Sequence, residues 1–532
     1  MGMFVNPNYD AFKTAVDSNY VDKSLLIAYT NQVLGTQQAY ICNSRPRRFG
    51  KSTAANMLAA YYSRGCASDA IFANLAIAKS PTYRQQLNGH AVIHLDVQWI
   101  WSAIGDSSKV VDYIHKNVLK ELLQEYPNVD MADCPTLPEA LAAINEQTGT
   151  KFIIIIDEWD CLIRDDGRNK AVIEAYIEFL RALFKGLQPS RYLNLAYITG
   201  ILPIMKINTQ SAMNNFREFT MLNPGPFAPF IGFTEGEVQA ICTKHQLNFA
   251  ELRRWFDGYK LGQEHIYNPN AVIDTIIHGK AGNYWSATAS VGAILPLIRL
   301  DFTGLRQVLL RLLGGESIKL DVTNFSNDML HFHDVDDILT ALIHLGYLAY
   351  DEALGQVFIP NEEIRKELGA TLKREKWTEL NKLMASSEAL LAATWEQNGA
   401  KVALMVEEIH NSHCSILQYN NENALSNVMS FAYLAAIEYY YKPVRELPAG
   451  RGFADLVFLP RREYPHIPAL LLELKWNASA RTALQQIKEK HYSEALEDYC
   501  GTVLLVGINY DPRTKAHSCE IEELADFSNR MA

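Results

Sequence analysis

The 532-residue sequence has no apolar run near the ~18 residues that a membrane span needs. Its longest apolar runs, Phe152 to Ile156 and Ile294 to Ile298, have the length of buried strand or helix segments, so an integral membrane protein is not expected. The opening MGMFVNPNYD lacks a basic stretch followed by an apolar one, and no secretory signal is expected. Asn6 stands where a myristoylation start wants Ser or Thr. Positive charge is short: 49 Lys and Arg face 60 Asp and Glu, a formal net charge of −11. Bulk electrostatics therefore repel nucleic acid, and any such contact needs a local basic patch or a bound metal. The cysteines at 42, 66, 134, 161, 242, 414, 500 and 519 form no C-x-x-C pair. A chain of this size with isolated cysteines reads as cytoplasmic and reduced, most of the thiols being small buried hydrophobes. There is no repeat, no low-complexity tract, and no H-E-x-x-H, G-x-S-x-G or G-x-G-x-x-G pattern. What remains is ordinary material for globular cores, 48% hydrophobic and 20% charged. The length predicts about three domains.

Apolar runs at Ala39 to Cys42, Val92 to Leu95, Phe152 to Ile156 and Leu195 to Ile198 read as strands. Helical patterns lie between them, at Thr53 to Tyr62, Val110 to Glu125 and Val172 to Phe184. Buried strands separated by helices predict an α/β fold with a parallel sheet covered on both faces. After Pro229 the texture turns mainly helical, beginning with a capping box at Thr234-Glu235-Gly236-Glu237 and including helices at Gly304 to Leu313 and Leu368 to Ala393. From about 400 a second mixed domain is expected. Its strands are read at Leu404 to His410, Ser415 to Tyr419, Ala454 to Leu459, Ala469 to Leu474 and Thr502 to Gly507, and its helices at Ala424 to Tyr441 and Ala480 to Tyr492. The expected division is 1–233, 234–399 and 400–532.

A nucleoside triphosphate needs backbone N–H groups, a lysine and a magnesium-binding hydroxyl at the start of a helix. Gly50-Lys51-Ser52 supplies the second half of G-x-x-x-x-G-K-[ST], while Arg45 stands where the first Gly belongs. The candidate cradle comprises Arg48, Phe49, Gly50, Lys51, Ser52 and Thr53. Its partner is the apolar strand Phe152 to Ile156, closed by Asp157 and Glu158. In nucleotide hydrolases such an Asp helps to hold Mg²⁺, and a following Glu can activate the attacking water. Both features also fit plain strand ends with polar caps. Thr199, closing the next strand, either senses the γ-phosphate or makes an ordinary strand-end hydrogen bond. Arg45, Arg47 and Arg48 either neutralise a triphosphate or pair with nearby acids.

These residues carry a resemblance. Val21-Asp22-Lys23-Ser24, the run Arg45-Pro46-Arg47-Arg48-Phe49-Gly50-Lys51-Ser52 and Ile156-Asp157-Glu158-Trp159-Asp160 resemble the AAA-ATPase-like family of prokaryotic proteins. Thr199-Gly200-Ile201-Leu202, Asn214-Asn215, Gly232-Phe233-Thr234, Trp255-Phe256-Asp257-Gly258-Tyr259 and Tyr267-Asn268-Pro269 extend the likeness to about residue 370. The family usually has Tyr where this chain has Phe256, and often Tyr at Trp159. The resemblance implies a P-loop NTPase core with a helical lid. The motifs between 214 and 269 read as packing and turn chemistry more than as ligand contacts.

A second site pattern lies near the C-terminus. Gly450-Arg451-Gly452-Phe453-Ala454-Asp455 leads a strand that carries an acid, and Leu471-Leu472-Glu473-Leu474-Lys475 ends another. Alternation puts Glu473 and Lys475 on one face, where Asp455 of a neighbouring strand can join them. Two carboxylates and an ammonium suit Mg²⁺-assisted phosphodiester hydrolysis. Taken alone, E-x-K is also a common surface pair. With the helix Ala483-Leu484-Gln485-Gln486-Ile487, the arrangement resembles a PD-(D/E)XK nuclease domain. That resemblance adds Gln486 to the catalytic set and Glu422 to the metal set. His410, His413 and Cys414 form a weak zinc pattern without a fourth ligand.

The reading is an ATP-binding, Mg²⁺-using ATPase coupled to a nuclease. Glu158, Asp455, Glu473, Lys475 and Gln486 are the candidate catalytic residues. Ser52, Asp157, Glu422, Asp455 and Glu473 are the candidate metal ligands. Expected partners are ATP and nucleic acid, DNA ahead of RNA, with no membrane. A homo-oligomer is open, because AAA-type sites often borrow a neighbour's arginine. The alternative is a nucleotide switch or scaffold whose nuclease-like domain only binds.

Overall fold

The computed structural model describes residues 2–166, 169–204, 213–285, 291–300, 302–323, 325, 332–374, 378–413, 422–449, 452–489 and 501–524. The chain divides into two compact units, one of Met1–Gly282 with Leu320–Gly355, the other of Asn283–Lys319 with Gln356–Ala532. Among the described residues no helix is long and apolar enough to cross a membrane.

The first unit is built on β1 (Tyr40–Ser44), α1 (Lys51–Tyr62), β2 (Ala91–Asp96), α2 (Val97–Ile104), α3 (Val110–Glu125), β3 (Phe152–Asp157), α4 (Lys170–Phe184), β4 (Leu193–Gly200), β5 (Arg217–Phe219) and α5 (Glu235–His245). These five strands form one sheet in the order β2-β3-β4-β1-β5, and every pairing within it is parallel. Ile153 to Ile156 are fully buried, as a strand covered on both faces requires. On one face Ile93, Leu95, Ile154, Ile156, Ala196 and Ile198 join a core with Ile114, Val118 and Leu122 of α3 and Ile173, Tyr176 and Leu180 of α4. The helix α1 packs on β2, β3 and β4 from the other side. Alternation along β3 therefore turns Asp157 away from the α3 and α4 layer, toward the face that α1 covers.

The second unit holds α6 (Glu362–Arg374), α7 (Thr378–Trp395), α8 (Gly399–His413), α9 (Glu422–Ala432), β6 (Val444–Ala449), β7 (Gly452–Phe458), β8 (Ala469–Trp476), α10 (Ala480–Glu489), β9 (Val503–Asp511) and β10 (Ala516–Glu523). Its five-stranded sheet runs β6-β7-β8-β9-β10. Only β8–β9 is parallel; the others are antiparallel. Leu471, Leu484, Ile487 and Leu505 tie α10 to the sheet.

Several sequence readings change. Leu404 to His410 is helical, part of α8, rather than a strand. Val402, Val406 and Ile409 are buried and Leu404 is 69% exposed, which is helical spacing that a short apolar run disguises. The helix expected over Leu368 to Ala393 is helical wherever it is described, within α6 to Arg374 and within α7 from Thr378. The one expected over Ala424 to Tyr441 ends at Ala432, with a short turn of helix at Ala436–Tyr439. Ser415 to Tyr419 lies outside the described residues.

Candidate functional site

The phosphate-loop region starts where β1 ends. Arg45 N–H continues the ladder to Gly200 O at 3.0 Å. Arg48 turns into the left-handed region (φ 67°), and Gly50 caps α1 with φ 90°. No atom lies within 4 Å of where a Gly50 side chain would begin, so backbone conformation alone calls for glycine there. Phe49 is buried and meets Tyr259 edge-on at 5.5 Å, pinning the loop. Ser52 is exposed and Thr53 half-buried, on the first turn of α1.

Lys51, 4% exposed, donates to Pro46 O at 3.0 Å and lies 3.7 Å from Glu158 Oε1. Asp157 is buried. Its Oδ1 accepts the Thr199 hydroxyl and, at 3.1 Å, the Glu158 N–H. The structure thus brings Lys51, Asp157, Glu158 and Thr199 together at the carboxyl edge of the sheet, where open α/β folds bind ligands. Thr199 makes the strand-end hydrogen bond, and makes it to the very acid of the candidate metal set. Glu158 sits at φ 51°, a strained conformation for a residue with a side chain. Burial alone would raise its carboxyl; Lys51, Arg164 and Arg47 outweigh that and hold it below the usual range.

Arg164 was not read from the sequence. Its side chain is 3% exposed and bonds Glu158 at 3.3 Å, Asp160 at 3.1 Å and Asp165 at 2.9 Å. Asp160 in turn accepts from the N–H groups of Ile201 (3.0 Å) and Leu202 (2.8 Å). Asp96 was missed too. It closes β2 opposite Asp157 in register and caps α2 by accepting Trp99 N–H at 2.8 Å. Desolvation, with Asp157 and Glu158 nearby, lifts its carboxyl above the ordinary range. The signal available was its place: an acid closing a strand, as Asp157 closes β3.

The three arginines part company. Arg45 is fully buried, its Nη1 donates to Ser44 O (2.9 Å) and Phe219 O (3.0 Å), and it has no ion pair among the described residues. Burial lowers its guanidinium to about 10. Arg47 lies 3.6 Å from Asp165, and Arg48 is exposed. Four residues of the motifs between 214 and 269 have packing or turn contacts. Trp255 and Phe256 are buried, Asn215 donates to Phe184 O at 2.9 Å, and Asn268 caps a helix by accepting Asn270 N–H at 2.9 Å.

In the second unit, Asp455 Oδ2 accepts Leu474 N–H at 2.7 Å. Glu473, 1% exposed, accepts from Lys475 Nζ at 3.0 Å and from Gln486 Nε2. Asp455, Glu473, Lys475 and Gln486 therefore converge on one face of β7 and β8, under α10. Glu422 begins α9, but its side chain falls outside the described residues, as do those of His413 and Cys414. His410 packs instead against the rings of Tyr510 (5.4 Å) and His517 (5.2 Å). Among the described residues no three His, Cys, Asp or Glu side chains form a metal cage. The donor sets still suit a hard, water-carrying cation: Ser52 with Asp157 at the first site, and two carboxylates on neighbouring strands at the second.

The first unit is thus a P-loop-type parallel α/β core, and the second carries a mixed sheet with a two-acid, one-lysine face. Residues 8–209 match the family model described as Predicted AAA-ATPase, and residues 420–520 match that of the PD-(D/E)XK nuclease superfamily. The chain carries an AAA-ATPase-like domain and, C-terminal to it, a PD-(D/E)XK superfamily domain. It is 21% identical to an uncharacterized protein in the vnfD 5′ region of Azotobacter chroococcum mcd 1, with 93% of each chain covered. Among solved structures it resembles the ORC2 protein of Aeropyrum pernix (ADPNP-ADP complexes) at 10% identity and TM-score 0.30, over 68% of this chain and 98% of that one. A DNA replication initiation factor matches at 11% identity and TM-score 0.19, over 56% and 70%. Superpositions that loose carry nothing about function.

Proposed function

We propose that the protein binds ATP with Mg²⁺ at the phosphate loop, hydrolyses it, and couples this to metal-dependent cleavage of nucleic acid by its C-terminal domain, in a cytoplasmic setting. One observation carries the reading: each unit gathers acids and a lysine from separate elements at one edge or face of its sheet. In the first, Arg48 to Thr53 would cradle the phosphates, Lys51 would meet the terminal ones, and Ser52 and Asp157 would hold the metal. Glu158 would take the proton of the attacking water. In the second, Asp455 and Glu473, with Glu422, would hold the metal, and Lys475 and Gln486 would orient the water and the carboxylate. Bound Mg²⁺ would supply neutralising charge at the phosphoryl oxygens. The chain passes between the two units at 282/283, 319/320 and 355/356.

The test is cleavage of single- and double-stranded DNA and RNA by the full chain with Mg²⁺, with and without ATP. Cleavage is expected, and Lys475→Ala should abolish it while ATP turnover persists. Cleavage unchanged in Lys475→Ala removes the nuclease assignment. A switch or scaffold that holds nucleotide and nucleic acid without cutting is the second reading, favoured by the net charge of −11 and by Arg45 in place of the first loop glycine. Tight ATP binding without turnover, and no cleavage of any substrate, would select it.

A further inference from the structure

Trp255-Phe256-Asp257-Gly258-Tyr259 ends in a tyrosine that touches two separate parts of the first unit. Tyr259 opens the strand Tyr259–Leu261, which belongs to a small three-stranded sheet with Phe233–Thr234 and Glu264–Tyr267. Its side chain is buried. The ring meets Phe49 edge-on, with centroids 5.5 Å apart and planes at 82°. The hydroxyl donates to Gly346 O at 2.6 Å. Phe49 precedes Gly50 and Lys51 of the phosphate loop; Gly346 lies 87 residues beyond Tyr259, in the segment Leu320–Gly355 of the same unit.

The Phe49 end is closely packed. Phe49 stands between Arg48 at φ 67° and Gly50 at φ 90°. Its backbone belongs to the loop whose N–H groups would face the phosphates, while its ring is set against the small sheet. A side-chain carbon at Gly232 would overlap Ile266 and lie 3.3 Å from the Phe49 ring, so these groups fit without a gap. The Gly346 end is a helix terminus. The helix Val335–His344 closes through Gly346 N–H to Ile343 O (3.0 Å), Tyr347 N–H to Leu342 O (2.9 Å) and Leu348 N–H to Leu342 O (3.2 Å). Gly346 takes φ 86° in this turn, as a glycine after a helix commonly does. Helix ends fray unless an outside group ties them. The Tyr259 hydroxyl ties this one at its Gly346 carbonyl. The strand that follows, Ala349–Asp351, packs on Tyr259–Leu261.

We propose that Tyr259 is a positioning residue that links the filling of the phosphate loop to the stability of the turn at 345–348. The inference rests on the phosphate-site reading above and adds a place where nucleotide state is felt. Phosphate oxygens on the loop's N–H groups restrict the backbone of Phe49, and its ring follows that backbone. A fixed Phe49 ring leaves Tyr259 fewer positions, so its hydroxyl keeps the hydrogen bond to Gly346 O for more of the time. Ordering one end of a packed chain of side chains lowers the cost of ordering the other. The coupling is reciprocal: a closed turn favours the filled loop by the factor with which nucleotide favours the turn.

The experiment is amide hydrogen exchange on the full-length protein, with and without saturating ATP-γ-S and Mg²⁺. Nucleotide should slow exchange of the 346–348 amides about fivefold or more, and by more than it slows the amides of α3. Tyr259→Phe keeps the ring against Phe49 and removes the hydroxyl. In that variant nucleotide should still bind, but should no longer slow the 346–348 amides beyond those of α3. A hydroxyl that only closed the turn would speed exchange equally with and without nucleotide, and the slowing would survive the substitution; that result overturns the proposal. No slowing in the wild-type protein with nucleotide bound overturns it as well, while the phosphate site stands. Should Tyr259→Phe not fold, Phe49→Leu under saturating nucleotide should lose the slowing, and its survival there overturns the link. No binding of nucleotide by the wild-type protein overturns both this inference and the phosphate site.

Discussion

The Lys51 ammonium lies 3.7 Å from the Glu158 carboxylate, the helix that follows β1 meeting the turn that follows β3. Glu158 shares its charge between Lys51 and Arg164, the latter at 3.3 Å. A phosphate on the loop would compete for Lys51 and leave Glu158 to Arg164. Glu158→Gln keeps the shape and removes the charge. It should retain ATP binding and slow hydrolysis by about 10²- to 10⁴-fold, the usual worth of a general base. Steady-state phosphate release beside equilibrium ATP binding checks it; turnover at the wild-type rate would remove Glu158 from the chemistry.

Arg164 is the hub of three carboxylates. Arg164→Ala leaves Glu158 and the fully buried Asp160 without their guanidinium, and breaking a buried pair from one side costs about 3–5 kcal/mol. Urea unfolding followed by the first unit's signal should show a clear drop in midpoint. Arg164→Lys should recover part of it, since one ammonium cannot reach all three acids as the planar fork does.

Gly200 closes β4 against the turn after β3. A side-chain carbon there would lie 2.6 Å from Trp159 Nε1 and 2.7 Å from Asp160 Oδ1, both buried groups. Gly200→Ala should therefore destabilise by about 1–3 kcal/mol through overpacking. A thermal midpoint equal to wild type would mean that the turn relaxes freely.

Glu362 in the second unit is 1% exposed and bonded by Arg461 at 2.7 Å and Arg365 at 3.3 Å. Burial alone would raise its carboxyl; the two guanidiniums outweigh that and hold it below its ordinary 4.5. An acid whose folded value is depressed contributes stability that is complete above its unfolded value and is lost as pH falls through the folded one. The second unit should thus weaken on acidification from about pH 4.5 downward. Glu362→Gln should flatten that part of the stability–pH curve and cost about 3–5 kcal/mol at neutral pH. A wild-type acid profile in the variant would count against the pairing.

Much of this was legible in the sequence because it is local. The periodicity of Val110 to Glu125 returned that helix residue for residue as α3, and Thr234-x-x-Glu237 is a real capping box. The strands at Val92, Phe152 and Leu195 were readable because a strand buried on both faces is a continuous apolar run. The short β5 and the strands β6 and β10 went unread. β5 has three residues, too few for a pattern, and β10 lies at the sheet edge, where charged residues replace apolar ones. Leu404 to His410 misled because seven residues do not separate period 2 from period 3.6.

The sequence by itself determined the order strand, loop, helix around Lys51, the acids that close β3, and the Asp455, Glu473 and Lys475 set, since each is carried by neighbours in the chain. Only the tertiary structure decided that Arg45 spends its charge on carbonyl oxygens, Phe219 O among them, and that Lys51 meets Glu158. Those outcomes depend on segments far apart in the chain, brought together by the burial of the sheet's two faces and not by any local preference.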